Sequence, residues 1–371
     1  MPCRLPRAPL TIAPGPMLCS ELPWDLAAAM RSSIFYLAPV LHKTGRVTMP
    51  MPGGCRLGPR LIDIHLEGLA RMGARITWQP QTVTLTRNGV LHGADYTLRI
   101  PSVGATETLL MAAAGAQGAS VLRGAACEPE VKDLADFLNR CGADIHGAGT
   151  PIIRVRGTPE LGGCAFTPLP DRIIGATLAC AAASAGGRVE LPNARADEMQ
   201  DILQLLERAG CRVERQNGVC VQSEGRLQGV GKICTGAWPG FATDNAPLLA
   251  AAMLRAEGTT EICDTLFEKR FACAAQFAAM GAEVQVKGRT LCIAGRQTLH
   301  GAECYAPDLR GGAALVLAAL GAQNELSTVW DAGHIDRGYP CLAAMLRKLG
   351  ANVRTKTVQG RKIDTQPSIY L

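Results

Sequence analysis

The feature that most constrains this chain is a period of about 70 residues. Five segments, "EGLARMGARI", "ADFLNRCGADI", "LQLLERAGCRV", "AAQFAAMGAEV" and "AAMLRKLGANV", each read as helix, glycine, strand. Their glycines, Gly73, Gly142, Gly210, Gly281 and Gly350, are separated by 69, 68, 71 and 69 residues. Apolar residues recur within each segment at three- and four-residue spacing, the pattern of an amphipathic helix. The glycine suits the position just past the helix end, where the backbone turns left-handed. A second, Ala-rich helix precedes a strand in each unit, as in "GATETLLMAAAGAQGASVL" and "GGAALVLAALGAQNELSTV". Each unit therefore reads strand, helix, strand, helix, strand, strand. Such a period marks one supersecondary unit stacked on copies of itself, and the alternation of elements argues for an α/β architecture. The Ala-rich helices are almost free of charge, so they should lie inside, enclosed by sheet.

Counting back one period from Gly73 places another helix end near the first residue. The period predicts about six repeats of roughly 70 residues, the first incomplete. Met1 to Met17 has strand and turn character, Asp25 to Leu41 is the second helix of that first unit, and Thr355 to Leu371 lies beyond the last recognisable unit. An incomplete unit leaves its neighbours' apolar faces uncovered, at on the order of 1.5–3 kcal/mol per side chain, and predicts reduced stability.

Composition excludes several classes. An apolar fraction of 47% with 19% charged residues fits a chain that buries large cores. The net charge of +6 suits an anionic small molecule, and no basic run exceeds two residues, so no nucleic-acid stripe is present. Fifteen cysteines without a CxxC pair read as reduced thiols used as small core hydrophobes, with no zinc or other metal site. The first seventeen residues are interrupted by prolines and carry no apolar signal core. The longest apolar stretches are too short to span a bilayer. A soluble cytoplasmic chain is expected, with no membrane partner. Neither a P-loop nor GxGxxG is present, and no cofactor is expected.

The chemistry-bearing residues sit in short motifs. "PGGCRLGPR" (52–60) sets Cys55 after two glycines and beside Arg56 and Arg60, which would favour its thiolate. Most of the fifteen cysteines are expected to be inert core thiols, and this polar, glycine-flanked setting separates Cys55 from them. Asp244 in "FATD" stands before "NAPLLAAAM", a helix N-cap context as well as a candidate base. Ser102 precedes a helix whose first amides could cradle a pyrophosphate.

PGGC, SVGAT (102–106), PDR (170–172), FATD, LFEKRF (266–271), PDLR (307–310) and HIDRGY (334–339), set in this repeat, closely resemble the UDP-N-acetylglucosamine 1-carboxyvinyltransferases. The likeness runs from about Leu22 to Val353. It implies a two-domain inside-out α/β barrel, with residues 1–168 in the first domain, 169–371 in the second together with the tail, and substrates in the cleft between. It implies transfer of the enolpyruvyl group of phosphoenolpyruvate to the 3′-hydroxyl of UDP-N-acetylglucosamine, an early step of peptidoglycan synthesis. Cys55 then matches the proton donor, Asp244 the residue beside the sugar hydroxyl, and Arg31, Arg60 and Arg337 the cations holding phosphate and carboxylate. Arg270, Asp308 and Arg310 match further cleft residues. Arg60, Leu61, Ile62, Asp63, Ile64, Ser102, Val103, Gly104 and Leu266 match the sugar-nucleotide contacts. A shikimate 3-phosphate carboxyvinyltransferase, or a homologue that binds the sugar nucleotide without turnover, is an alternative.

The sequence departs from the family pattern in places. A Lys-Asn pair that the family carries upstream is not found in Met1 to Glu21. Arg56 stands where a small residue is usual, Leu61 where the family has Pro, Cys127 where it has Arg, Ile174 where it has Glu, and Lys269 where it has Asn.

Overall fold

The structure, a computed structural model, describes residues 9–13, 15, 19–54, 57–58, 61–295, 298–322, 325–357 and 367–370. The unit is seen whole in residues 95–156. Strand Asp95–Thr97 leads to helix Val103–Ala114, strand Ala119–Arg123, helix Pro129–Arg140 and the strands Asp144–His146 and Ile152–Arg156. The first two strands pair parallel across the first helix, and the closing hairpin pairs antiparallel. The sheet order is therefore first, second, fourth, third, and the units beginning at Gly231 and Glu303 repeat it. Gly73, Gly142, Gly210, Gly281 and Gly350 all have φ between 89° and 103°, each just past an outer helix. A side chain there would strain the backbone, which is why the glycine marks the period.

Each Ala-rich helix lies inside. All eight residues of Ala246–Met253 are buried, as are nine of Leu309–Leu320. Small side chains let these helices approach one another closely, whereas the outer helices, such as Gln200–Arg208, bury one face. The buried apolar residues form two clusters, Ala27 to Val155 and Ile173 to Val353. The second is built on three inner helices, Arg172–Ala185, Ala246–Met253 and Leu309–Leu320, packed pairwise. The first is built on Leu37–Thr44 and Val103–Ala114.

The described residues form five sheets, two around the first core and three around the second. Among the described residues ahead of the first sheet, Glu21 forms an isolated bridge to Thr48. Two expectations need correction. The helix expected over Asp25 to Leu41 is broken into Trp24–Ala29, a 3-10 segment Arg31–Tyr36 and Leu37–Thr44. Met30 is extended at the first break, and the Ser33 hydroxyl donates to Ala27 O and Met30 O, competing with helical bonding. Trp24, Leu26, Met30 and Tyr36 stay exposed along this stretch. Finally, strands Arg354–Thr357 and Pro367–Tyr370 complete the last sheet, so the tail belongs to the fifth unit. Residues 358–366 separate these strands where the earlier hairpins use two to five residues, which hid the pairing from a period-based reading.

No helix among the described residues is long and apolar enough to cross a membrane. The described cysteines are all free, and Cys180, Cys211, Cys273 and Cys304 are buried, with burial pushing their thiols up.

Candidate functional site

The predicted site residues of the second core converge on Asp244. It sits in the 3-10 turn Thr243–Asn245 that opens inner helix Ala246–Met253. Asp201 of the outer helix Gln200–Arg208 positions that turn: its Oδ2 accepts from Ala242 N at 2.9 Å and from Asn245 Nδ2 at 3.0 Å. Asp244 does not cap the helix, contrary to its sequence context. Its oxygens are taken by guanidinium groups instead. Arg270 Nη2 donates to Oδ1 at 3.1 Å, and Arg310 Nη2 and Nε donate to Oδ2 at 3.2 and 3.3 Å.

Arg270 is 1% exposed and Asp264 is fully buried, so each charge must be met inside the protein. Arg270 Nε donates to the Thr243 hydroxyl at 2.9 Å and lies 3.8 Å from Asp264 Oδ2. The Thr243 hydroxyl donates in turn to Asp264 Oδ2. Asp264 Oδ1 accepts from Leu266 N and Phe267 N at 2.9 and 2.6 Å, and the Phe267 ring packs under the Arg270 guanidinium at 4.7 Å. This buried network fixes Leu266, whose side chain remains 52% exposed.

Burial alone would raise the Asp244 carboxyl, but the charges of Arg310 and Arg270 outweigh it and hold the group below its ordinary range. The side chain keeps 39% exposure, so the anion is both stabilised and reachable. Arg310 rests on the ring of Tyr339 at 5.2 Å, and its Nη1 has no hydrogen-bond partner. Asp308 caps inner helix Leu309–Leu320, its Oδ1 accepting from Arg310 N and Gly311 N at 3.0 Å, while the buried Oδ2 has no partner. Arg337 is exposed at the end of the turn Gly333–Asp336, with Nη1 3.5 Å from His334 Nδ1.

The predicted residues of the first core gather separately. Arg31 Nη2 donates to Leu61 O at 3.0 Å. Ile62 is buried, while Asp63 opens the outer helix and binds Ile64 N at 2.9 Å and Arg99 at 2.7 Å. Ser102 caps inner helix Val103–Ala114 by accepting from Ala105 N at 3.4 Å. His65 connects these stretches: a Cβ on Gly104 would lie 3.2 Å from its Nε2. Burial, followed by the charge of Arg31, lowers the His65 pKa to about 4.

The two groups meet through the PGGC segment. Cys55 and Arg60 lie outside the described residues, but their neighbours do not. A Cβ on Gly53 would fall 1.5 Å from the carbonyl oxygen of Ala28, and Gly54 has φ 111°, so both glycines are required by the path of the chain. Beyond the cysteine, Leu57 O accepts from Lys269 N at 3.2 Å, and Gly58 lies against Glu268. A second tie runs from Arg172 to Glu130, with Nε 2.8 Å from Oε1. Arg172 lies over the Trp238 indole at 5.4 Å, and its charge also reaches Asp244.

Sequence reasoning missed Asp264, Thr243, His65, Tyr339 and the pair Arg172–Glu130. The PDR motif contained a signal for Arg172, and LFEKRF placed Arg270 without indicating its burial.

Comparison with known proteins gives a consistent picture. A family model described as EPSP synthase (3-phosphoshikimate 1-carboxyvinyltransferase) matches residues 12–346. The UDP-N-acetylglucosamine 1-carboxyvinyltransferase of Solidesulfovibrio magneticus is 40% identical over 349 residues, covering 94% of this chain and 83% of the relative. The corresponding protein 1 of Caldanaerobacter subterraneus is 42% identical over 337 residues, covering 91% and 80%. Among solved structures, the enolpyruvyl transferase NikO from Streptomyces tendae superposes with a TM-score of 0.80 at 27% identity, covering 91% of this chain and 80% of that one. EPSP synthase from Acinetobacter baumannii shares the fold, with a TM-score of 0.61 at 20% identity over 85% and 76%.

Proposed function

The chain belongs to the UDP-N-acetylglucosamine 1-carboxyvinyltransferases, a branch of the enolpyruvyl transferase family, and from that premise we propose how its residues divide the reaction. The enzyme transfers the enolpyruvyl group of phosphoenolpyruvate to the 3′-hydroxyl of UDP-N-acetylglucosamine and releases phosphate, in peptidoglycan synthesis. The shikimate 3-phosphate alternative is less favoured, since the relatives at 40–42% identity are sugar-nucleotide enzymes. The reaction adds the sugar oxygen to C2 of phosphoenolpyruvate while C3 takes a proton. It then expels phosphate as C3 returns a proton, leaving the enol ether.

Cys55 delivers the proton to C3. Asp244 orients the sugar hydroxyl and accepts its proton as the C–O bond forms. Two guanidinium groups make this carboxylate a weak base, so it is suited to accepting the proton late, when attack has made the hydroxyl acidic. Arg310 and Arg270 hold the carboxylate in place, and Asp308 caps the helix that carries Arg310. Arg31, Arg60 and Arg337 carry the charges for phosphate and carboxylate. Leu61 to Ile64, Ser102 to Gly104 and Leu266 line the sugar nucleotide, with the unbonded amides of the helix at Val103 facing the pyrophosphate. By this reading residues 1–168 and 169–371 form the two domains.

The observation that carries this division is the exposed side of Asp244, clamped by Arg270 and Arg310 in the body that touches the PGGC segment at Leu57. The test is phosphate release from phosphoenolpyruvate with UDP-N-acetylglucosamine, with shikimate 3-phosphate, and with neither. Release only with the sugar nucleotide, lost in Cys55→Ala and Asp244→Ala, supports it. Binding of the sugar nucleotide without release, or full activity in either variant, opposes it.

A further inference from the structure

Two thiols touch where the connection between the bodies folds back on the first. Cys141 ends helix Pro129–Arg140, and its thiol donates to the Cys164 sulfur at 3.4 Å. Cys141 is buried and Cys164 is exposed. Cys164 lies in residues 157–171, which join strand Ile152–Arg156 to helix Arg172–Ala185. Independent contacts hold this segment in place. Gly162 N donates to Cys141 O at 2.7 Å. Arg140 Nη1 donates to Ala165 O at 3.4 Å, and its guanidinium lies over the Phe166 ring at 5.4 Å. Phe166 also meets Phe137 edge-on at 5.4 Å. None of these groups has a part in the reaction proposed above.

We infer that Cys141 and Cys164 form a reversible, peroxide-sensitive disulfide site that fastens the connection between the bodies to the first body. The sulfurs need only approach by roughly 1.4 Å to reach bonding distance, within reach of side-chain rotation. The exposed Cys164 is the sulfur that hydrogen peroxide meets. Its sulfur attacks the peroxide O–O bond, giving a sulfenic acid and releasing water after protonation. The Cys141 sulfur then displaces hydroxide from that sulfenic sulfur, and the Cys141 proton leaves with it as a second water. Two thiols are oxidised and one peroxide is reduced. The product ties the connection covalently to the end of helix Pro129–Arg140, so residues 157–171 cannot lift from the first body, which restricts movement between the bodies.

Peptide mapping of the full chain after brief hydrogen peroxide treatment and alkylation tests the site. Tryptic fragments 141–154 and 157–172 should appear joined, separate again after dithiothreitol, and stay unjoined in Cys164→Ser. Finding Cys164 free, as sulfinic acid, or joined to another cysteine overturns the inference. A second readout rests on the reaction proposed above, whereas the map does not. Peroxide-treated wild type should release phosphate severalfold more slowly than equally treated Cys164→Ser, since Cys55 is common to both. Equal rates overturn the restricted movement.

Discussion

Arg310 grips one oxygen of Asp244 twice, with Nη2 at 3.2 Å and Nε at 3.3 Å, leaving the other oxygen to Arg270. The two cations come from different repeats, Arg270 after strand Thr260–Cys263 and Arg310 from inner helix Leu309–Leu320. The carboxylate is therefore held by the docking of two units.

Replacing Asp244 with Asn removes the anion but keeps the shape. We expect kcat to fall by about 10²–10⁴-fold, the range for loss of a positioned proton acceptor. The pH dependence of stability should change too. A carboxyl held below its ordinary value stabilises the fold at pH above the unfolded value of 3.8, and the effect is lost as pH falls through the folded pKa. Urea denaturation at pH 7 and near pH 3 should show a wild-type advantage over Asp244→Asn that shrinks in acid. An advantage that grows in acid would contradict the sign.

Arg270→Met should be far more disruptive to folding than its exposed neighbour Lys269→Met. The change leaves Asp264 buried at 0% exposure without its counter-ion, a loss of about 3–5 kcal/mol. Chemical denaturation measures it. A loss similar to that of Lys269→Met would mean the network does not bear the Asp264 charge.

His65 supplies an acid-sensitive element in the first body. Its folded pKa, lowered from 6.5 to about 4, means that the unfolded chain binds the proton more readily. Stability is intact above pH 6.5 and declines as pH falls from 6.5 toward 4, by roughly 3 kcal/mol in total. His65→Gln should flatten this limb of the stability–pH curve. An unchanged slope in the variant assigns the decline to other groups.

Gly53→Ala tests how the chain places Cys55. A methyl 1.5 Å from Ala28 O cannot be accommodated without moving the backbone. We expect kcat to drop well beyond any change in melting temperature, since the clash lies two residues before Cys55, the proposed proton donor. A variant with wild-type kcat would show that the path at Gly53 does not position the cysteine.

The contrast between what the sequence disclosed and what it hid has a physical basis. The repeat was legible because each unit needs a left-handed residue after its outer helix, and only glycine adopts that conformation without strain, as at Gly142 and Gly210. Inner and outer helices were legible because charge is sparse on one kind and striped on the other. The break at Met30 was not, because side-chain bonds from Ser33 decide it against a helical pattern. Arg270 in "FEKR" looks like a surface cation. Its burial depends on Asp244 and Asp264, brought to it by strands of the same sheet and the neighbouring helix. The Arg172–Glu130 tie likewise joins residues from opposite cores. Local pattern shows which residues can do chemistry, and packing between units decides which of them meet.

The most direct measurement of the central claim is mass spectrometry of the products after incubating the chain with phosphoenolpyruvate and UDP-N-acetylglucosamine. The account predicts a carboxyvinyl ether at the sugar 3′-oxygen, with one phosphate released per ether formed. Unchanged UDP-N-acetylglucosamine, in a protein that binds it by calorimetry, would contradict the claim.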